Sequence, residues 1–394
     1  MKNFDSSWPC FDRMEAKKIN KILLSNKVNY WTGNEGRLFE KEFSKFANTK
    51  YSIAVSNGTD ALEIALKSIE IKKNDEVIVT PRSFIASVSS VIRCGAKPIF
   101  ADVETNSGNI STETISKVIS KKTKVIICVH LAGFPCDMIK IKKLANKHSI
   151  KIIEDCSQAH GAKINNKSVG SFGDIGTWSF CQDKIISTGG EGGMITTNSK
   201  KLWSKSWSLK DHGKDHNTVF NNNSKGYKWL HHTFGGNSRL TEMQSAIGRL
   251  QLKKMNLWNK KRTKNANKIL KELKKFNKLI SIPLIPNNFK HGWYRCTAHV
   301  NDKYLKKGWD RNLIIEELRK LGIKAFVGSC PEIYLEKAFK NKNYKPKKRL
   351  INAKKLGENT LAFLTHPTIT LDEISYTTKC INTILNKAKK QIKL

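Results

Sequence analysis

The sequence predicts an α/β protein, with a large domain around a mostly parallel sheet and then a smaller carboxyl-terminal α+β domain. Three observations carry this. Short, nearly uninterrupted apolar runs recur between residues 50 and 155, as strands buried on both faces require. Amphipathic stretches of helical period lie between them. The chain has 394 residues, enough at ~150 residues per domain for two or three domains.

In chain order, the strand-like runs are Ser52–Ser56, Glu76–Thr80, Pro98–Ala101, Lys124–Val129 and Lys151–Glu154. The helical stretches between them include Asp60–Ile69, Ala86–Cys94 and Met138–His148. From Gly170 to Thr197 the pattern changes to short β-like runs (TWSF, MITT) broken by glycines. A helix is expected over Arg239–Met255, and a second, lysine-laden one over Asn259–Lys278, with Ile269, Leu270, Leu273 and Phe276 on one side. The second helix leads into the smaller domain. This places a large domain with an amino-terminal arm at 1–255 and a small domain at 256–394. The small domain is expected to hold a strand near Tyr294–Val300, a helix at Asn312–Leu321 and a last helix near Ile381–Lys390.

Lys plus Arg number 71 and Asp plus Glu 33, a net charge of +38. The basic residues are spread along the chain, without an Arg-rich arm or a zinc finger. That pattern is a solvated surface, not a nucleic-acid footprint, although it favours an anionic substrate such as a nucleotide. No apolar run nears the ~18 residues of a membrane span. MKNFDSSWPCFDRMEAKK at the amino end lacks the apolar core of a secretory signal. The nine cysteines are widely spaced with no C-x-x-C pair, which argues against a disulfide framework or zinc site and fits reduced thiols in a cytoplasmic enzyme.

In a doubly wound sheet, ligand groups sit in the loops after the strands. Ser56–Leu62 (SNGTDAL) is the first such loop. Gly58 allows close approach to an anion, and Thr59 offers a hydroxyl and an N–H at a helix start; a plain turn capped by Thr59 is the alternative. In IIEDCSQAHGA, Asp155 at a strand end can pair with a cationic ring nitrogen, held by a hydrogen bond from His160, or both can belong to an ordinary turn. In TWSFCQDKIISTGGEGG, Ser179 precedes Lys184, whose neighbours Phe180, Ile185 and Ile186 would desolvate its amine and lower its pKa. An anion turn, a strand-end Asp, then Ser and Lys in a Gly-rich loop form the set that pyridoxal phosphate requires.

The chain resembles the DegT/StrS family of sugar aminotransferases, through SNGTDAL, TPRSFIAS, HLAGFPCDM, EDCSQAHGA, GSFGDIGTWSFCQDK, the GEGG turn and GGNSRLTEMQSAIG. The resemblance implies a fold-type I pyridoxal-phosphate (PLP) enzyme with a seven-stranded sheet. It implies that Lys184 bonds the cofactor, Asp155 pairs with its pyridinium and Gln158 contacts its ring. Gly58, Thr59, Asp60 and Ser179 would bind the phosphate, and Phe84 would stack on the ring. Asn237 would reach the phosphate in the partner subunit's site, which implies a homodimer. The expected reaction carries an amino group from L-glutamate to a nucleotide-linked keto-sugar for surface polysaccharide synthesis. Lys184 argues against the histidine-bearing dehydratases related to this family, and no loop cysteine is placed as a desulfurase nucleophile. Two departures stand out: one extra residue before Glu191, with Gly189 and Gly190 in the turn, and Ser238 where a Tyr is usual.

Overall fold

The structure, a computed structural model, describes residues 6–220, 230–340 and 342–390. The first five residues of the amino-terminal segment read above lie outside them. The chain begins with helices α1 (Arg13–Leu24) and α2 (Glu35–Phe46). Then come β1 (Tyr51–Val55), α3 (Gly58–Ser68), β2 (Glu76–Val79), α4 (Ala86–Arg93), β3 (Lys97–Phe100) and α5 (Thr112–Ser116). Next are β4 (Thr123–Val129), α6 (Met138–Lys147), β5 (Lys151–Asp155), the short β6 (Lys163–Ile164) and β7 (Lys167–Ser168), β8 (Ile175–Ser179) and β9 (Gly193–Thr197). Helices α7 (Lys200–Lys210), α8 (His216–Phe220) and α9 (Glu242–Leu273) follow. The chain ends with β10 (Ile280–Ser281), β11 (Phe289–Lys290), β12 (Cys296–Val300), α10 (Arg311–Lys320), β13 (Ala325–Phe326), α11 (Ile351–Asn359), β14 (Thr360–Phe363) and α12 (Leu371–Ala388).

Seven strands form the main sheet in the order β1-β9-β8-β5-β4-β2-β3, and only β9 runs against the rest. Alternate side chains point to opposite faces. Ile53, Val55, Val77, Val79, Val125, Ile127 and Ile153 pack with α3, α4 and α7. Ile78, Ile126, Cys128 and Ile152 pack with α6 on the other face. A second sheet, β10-β12-β14-β13, carries the smaller core with α10 and α12.

The two helices expected over 239–278 are one helix of 32 residues, α9. Its buried stripe runs through Gln251, Met255, Trp258, Arg262, Ala266, Ile269 and Leu273. Gln251 and Arg262 are polar, so an apolar pattern breaks where the buried one continues. Residue 256 therefore falls inside a helix. Met255 and Trp258 pack with Trp178 and Phe180 of the large sheet, whereas Ala266, Ile269 and Leu273 pack with the small one. The last helix starts ten residues earlier than expected, at a capping box of Thr370 and Glu373. α1 was not expected, yet Asp12 and Glu15 cap it in the same reciprocal way.

Candidate active site

The carboxyl ends of β1, β2, β5 and β8 open onto one cavity of about 550 Å³. Gly58, Thr59, Asp60, Phe84, Asp155, Gln158, Ser179 and Lys184 all line it. After β1, Asn57 caps α3 by accepting from Asp60 N at 2.8 Å. The capping part considered for Thr59 therefore belongs to Asn57, and Thr59 stays on the cavity wall. Gly58 lies hard against β8: a Cβ there would stand 2.7 Å from Ser179 Cβ. The backbone N–H groups of Gly58 and Thr59 have no intrahelical partners, and the helix dipole favours anionic oxygen beside them. Asp60 accepts from Ser56 Oγ, which orients the turn.

β5 ends on Asp155, flanked in register by Val129 of β4 and Thr177 of β8. Its buried carboxylate accepts from Ser87 Oγ at 2.9 Å and from Ser157 N at 3.1 Å. Neither partner carries charge, so among the described residues the cavity wall holds a carboxylate without a cation. Gln158 Oε1 accepts from Ala132 N at 2.7 Å and so ties the loop after β4 to the loop after β5. Phe84, 67% exposed, stands at the mouth.

Lys184 is mostly buried, with Nζ 3.3 Å from Asp183 Oδ1 and 5.3 Å from the Tyr294 ring centre. Burial pulls its pKa down, but Tyr294 and Asp183 outweigh burial and the net direction is upward. This corrects the expected depression: the apolar neighbours Ile185 and Ile186 are in place, but a carboxylate is too. Burial raises the Tyr294 phenol, so at neutral pH the acting partner is Asp183, to which Tyr294 donates a hydrogen bond. Trp8 of the amino-terminal arm donates from Nε1 to the Lys184 carbonyl at 2.7 Å. In the following turn Gly189 and Gly190 both sit at positive φ, where the chain folds back to pair Gly190 with Cys181.

Neither His160 nor Asn237 lines the cavity of its own chain. His160 makes no hydrogen bond to Asp155; neither ring nitrogen has a partner. It packs at 5.2 Å from Trp178 and 5.7 Å from Phe180, and burial, then Lys184 and Arg262, pushes its pKa down to about 3. It is a neutral core residue. Asn237 is exposed and outside the cavity of its own chain, on a segment bridged to Asp211.

A second compartment of about 310 Å³ shares Ser83, Phe84, Gln158, Asp183 and Lys184 with the first. Apart from the Gly328–Phe339 segment, which the sequence offers either as part of a sugar pocket or as a packed turn and helix, sequence reasoning missed its walls. Arg82 comes from the large domain, and Tyr294, Arg295, His299 and Phe326 come from the small one. Gly328, Ser329 and Cys330 also line it, from the segment following β13.

A sequence model of the DegT/DnrJ/EryC1/StrS aminotransferase family matches residues 9–382. The chain belongs to this family. The aminotransferase is 37% identical to the UDP-N-acetyl-3-dehydro-alpha-D-glucosamine 3-aminotransferase of Acidithiobacillus ferrooxidans over 284 residues, 72% of this chain and 73% of that protein. It is 37% identical to GDP-perosamine synthase of Vibrio cholerae over 250 residues, 63% of this chain and 64% of that enzyme. It superimposes on the X-ray structure of the aminotransferase from Psychrobacter cryohalolentis with a TM-score of 0.95 and 51% identity, covering 97% of this chain and 99% of that one. The aminotransferase fold implied by the resemblance, fold type I, is the fold found.

Proposed function

We propose that this aminotransferase uses PLP to move the amino group of L-glutamate to a keto-sugar carried on a nucleoside diphosphate, at carbon 3 or 4 of a 6-deoxyhexose. The product would serve surface polysaccharide synthesis, and the enzyme would work in the cytoplasm as a homodimer. The observation that carries the reading is the convergence of eight residues named from the sequence on one cavity, with Lys184 where that cavity meets a second. The names of the Acidithiobacillus and Vibrio relatives support a nucleotide-linked sugar as acceptor. Free thiols at all nine cysteines fit a reducing compartment.

The residues fit the cofactor on two counts. The tight contact of Gly58 with Ser179 leaves a cradle for a phosphate, and the carboxylate of Asp155 lacks the cation a protonated pyridine would supply. Gly58, Thr59 and Ser179 would hold the phosphate, Asp155 the ring nitrogen, Phe84 and Gln158 the ring, and Lys184 the aldehyde carbon. Bound there, the cofactor supplies an electrophilic carbon for the amine and a sink for the electrons of the broken bond.

The chain's own residues do the rest. Lys184 Nζ takes the proton from the α-carbon of the amino donor, and later delivers one to the carbon of the sugar that receives the amine. Asp183, 3.3 Å away, stabilises the ammonium formed in between. Asp155 keeps a positive charge beside it favourable, each pKa unit being worth about 1.36 kcal/mol. Lys184→Ala should lose both the visible absorbance of the bound cofactor and all turnover, read with a panel of nucleotide keto-sugars and mass spectrometry of the product. Retention of either signal contradicts the assignment.

A further inference from the structure

The second compartment is built around guanidinium groups that have no counter-ion. Arg82 is 2% exposed. Its Nη2 donates to Thr360 Oγ1 at 3.2 Å, and its Nε is buried with no partner. Thr360 Oγ1 is shared with His299 Nδ1 at 3.1 Å, and burial followed by Arg82 pushes His299 down to about 3, so that ring is neutral. Arg295 lines the same compartment, with its guanidinium 4.3 Å from the Tyr294 ring centre and 5.7 Å from that of Phe326. Among the described residues, neither arginine forms an ion pair with a carboxylate. The compartment thus presents Arg82, Arg295 and Lys184 against the single carboxylate of Asp183.

A buried guanidinium with unused donors is costly unless a ligand completes it. The planar fork of arginine matches a carboxylate with two parallel hydrogen bonds. At about 310 Å³ the compartment suits an amino acid or one sugar ring, and is at the small end for a whole nucleotide sugar. Because Lys184, Ser83 and Phe84 belong to both compartments, a ligand held here has its reactive carbon beside the lysine amine.

We propose that Arg82, backed by Arg295, is a carboxylate-binding subsite that selects a carboxylate-bearing substrate for the reaction at Lys184. The carboxylate belongs either to the amino donor or to the sugar acceptor. The inference rests on the aminotransferase reading but is measured without turnover. Glutarate, UDP-glucuronate and UDP-glucose are titrated calorimetrically into the purified wild-type protein and into Arg82→Gln, Arg82→Lys and Arg295→Gln. Thermal melting identifies variants that fold, and Arg295→Gln serves should both Arg82 variants unfold. The expected result is a loss of about tenfold or more in affinity for glutarate or for UDP-glucuronate, with UDP-glucose unchanged and Arg82→Lys intermediate. A loss confined to glutarate assigns the subsite to the amino donor; one confined to UDP-glucuronate assigns it to the acceptor. The proposal is overturned if the folded variants bind both carboxylates within about twofold of wild type, if wild type binds neither, or if UDP-glucose falls as far as UDP-glucuronate. A separate titration with L-glutamate, followed by absorbance, tests the parent reading. Arginine-dependent glutarate binding without any absorbance change would keep the subsite and refute transamination.

Discussion

At the residue scale, Lys184 stands between burial and Asp183. Exchanging Asp183 for Asn removes a charge that opposes burial, so the amine should titrate at lower pH. Capture of added pyridoxal phosphate, followed by absorbance, should then become faster at neutral pH, and its pH profile should move toward acid. An unmoved profile would show that Asp183 does not govern the amine. His160 offers the opposite case. Its ring is neutral and unpaired between Trp178 and Phe180, so His160→Leu should keep cofactor binding and cost no more than about 1.5 kcal/mol in stability. Loss of the cofactor signal in a stably folded His160→Leu protein would return His160 to the chemistry. Its place was not legible because proximity in sequence to Asp155 says nothing of the ring's direction, which two aromatic side chains on β8 and beyond it decide.

At the scale of elements, β5 divides its labour by alternation. Asp155 faces the cavity, and Glu154 points the other way into the interior. Glu154 accepts from Gly170 N at 2.9 Å, from Phe172 N and Gly173 N at 2.7 Å each, and from His130 Nε2 at 3.1 Å. His130 Nδ1 in turn accepts from Cys136 N at 3.0 Å, which leaves the ring proton on Nε2. One carboxylate therefore fixes the loop that delivers β8, Ser179 and Lys184. Glu154→Gln should destabilise the fold by ~3 kcal/mol, because buried donors lose a charged acceptor. Burial alone would raise the Glu154 pKa, yet His130 and the backbone N–H groups bring it below the ordinary 4.5. Its stabilisation is thus complete above about that value and is lost as the pH falls beneath it. Acid unfolding followed by circular dichroism should show a limb below pH 4.5 in wild type that flattens in Glu154→Gln. The strands and the cavity floor were readable because each motif sits within a few residues of a strand end. Asn57, Ser87 and Arg82 were open to the same reading. Tyr294, Arg295 and Thr360 were not, since packing of distant segments alone brings them to Lys184.

At the scale of the molecule, we propose that a second copy of the chain completes each site. Asn237 is exposed and lines neither compartment of its own chain, as a residue meant for a neighbouring copy would be. Sedimentation should give about twice the 44.7 kDa of one chain. Lys184→Ala and Asn237→Ala proteins, each impaired alone, should regain activity when refolded together, because one site of the mixed dimer would have both groups. A monomer in solution, or no regain on mixing, would contradict the shared site.

The single helix α9 spans 32 residues, about 48 Å at 1.5 Å per residue. Its first half is seated on α1 and α2 and its second on α12 and the lesser sheet, so one rigid girder joins both cores. The return path is fastened as well: Ile333 N bonds Pro81 O, and Asp102 accepts from Asn352 N and Ala353 N. No loose joint lies between the halves along this helix. A protease should therefore find no cut along the girder that would release either half.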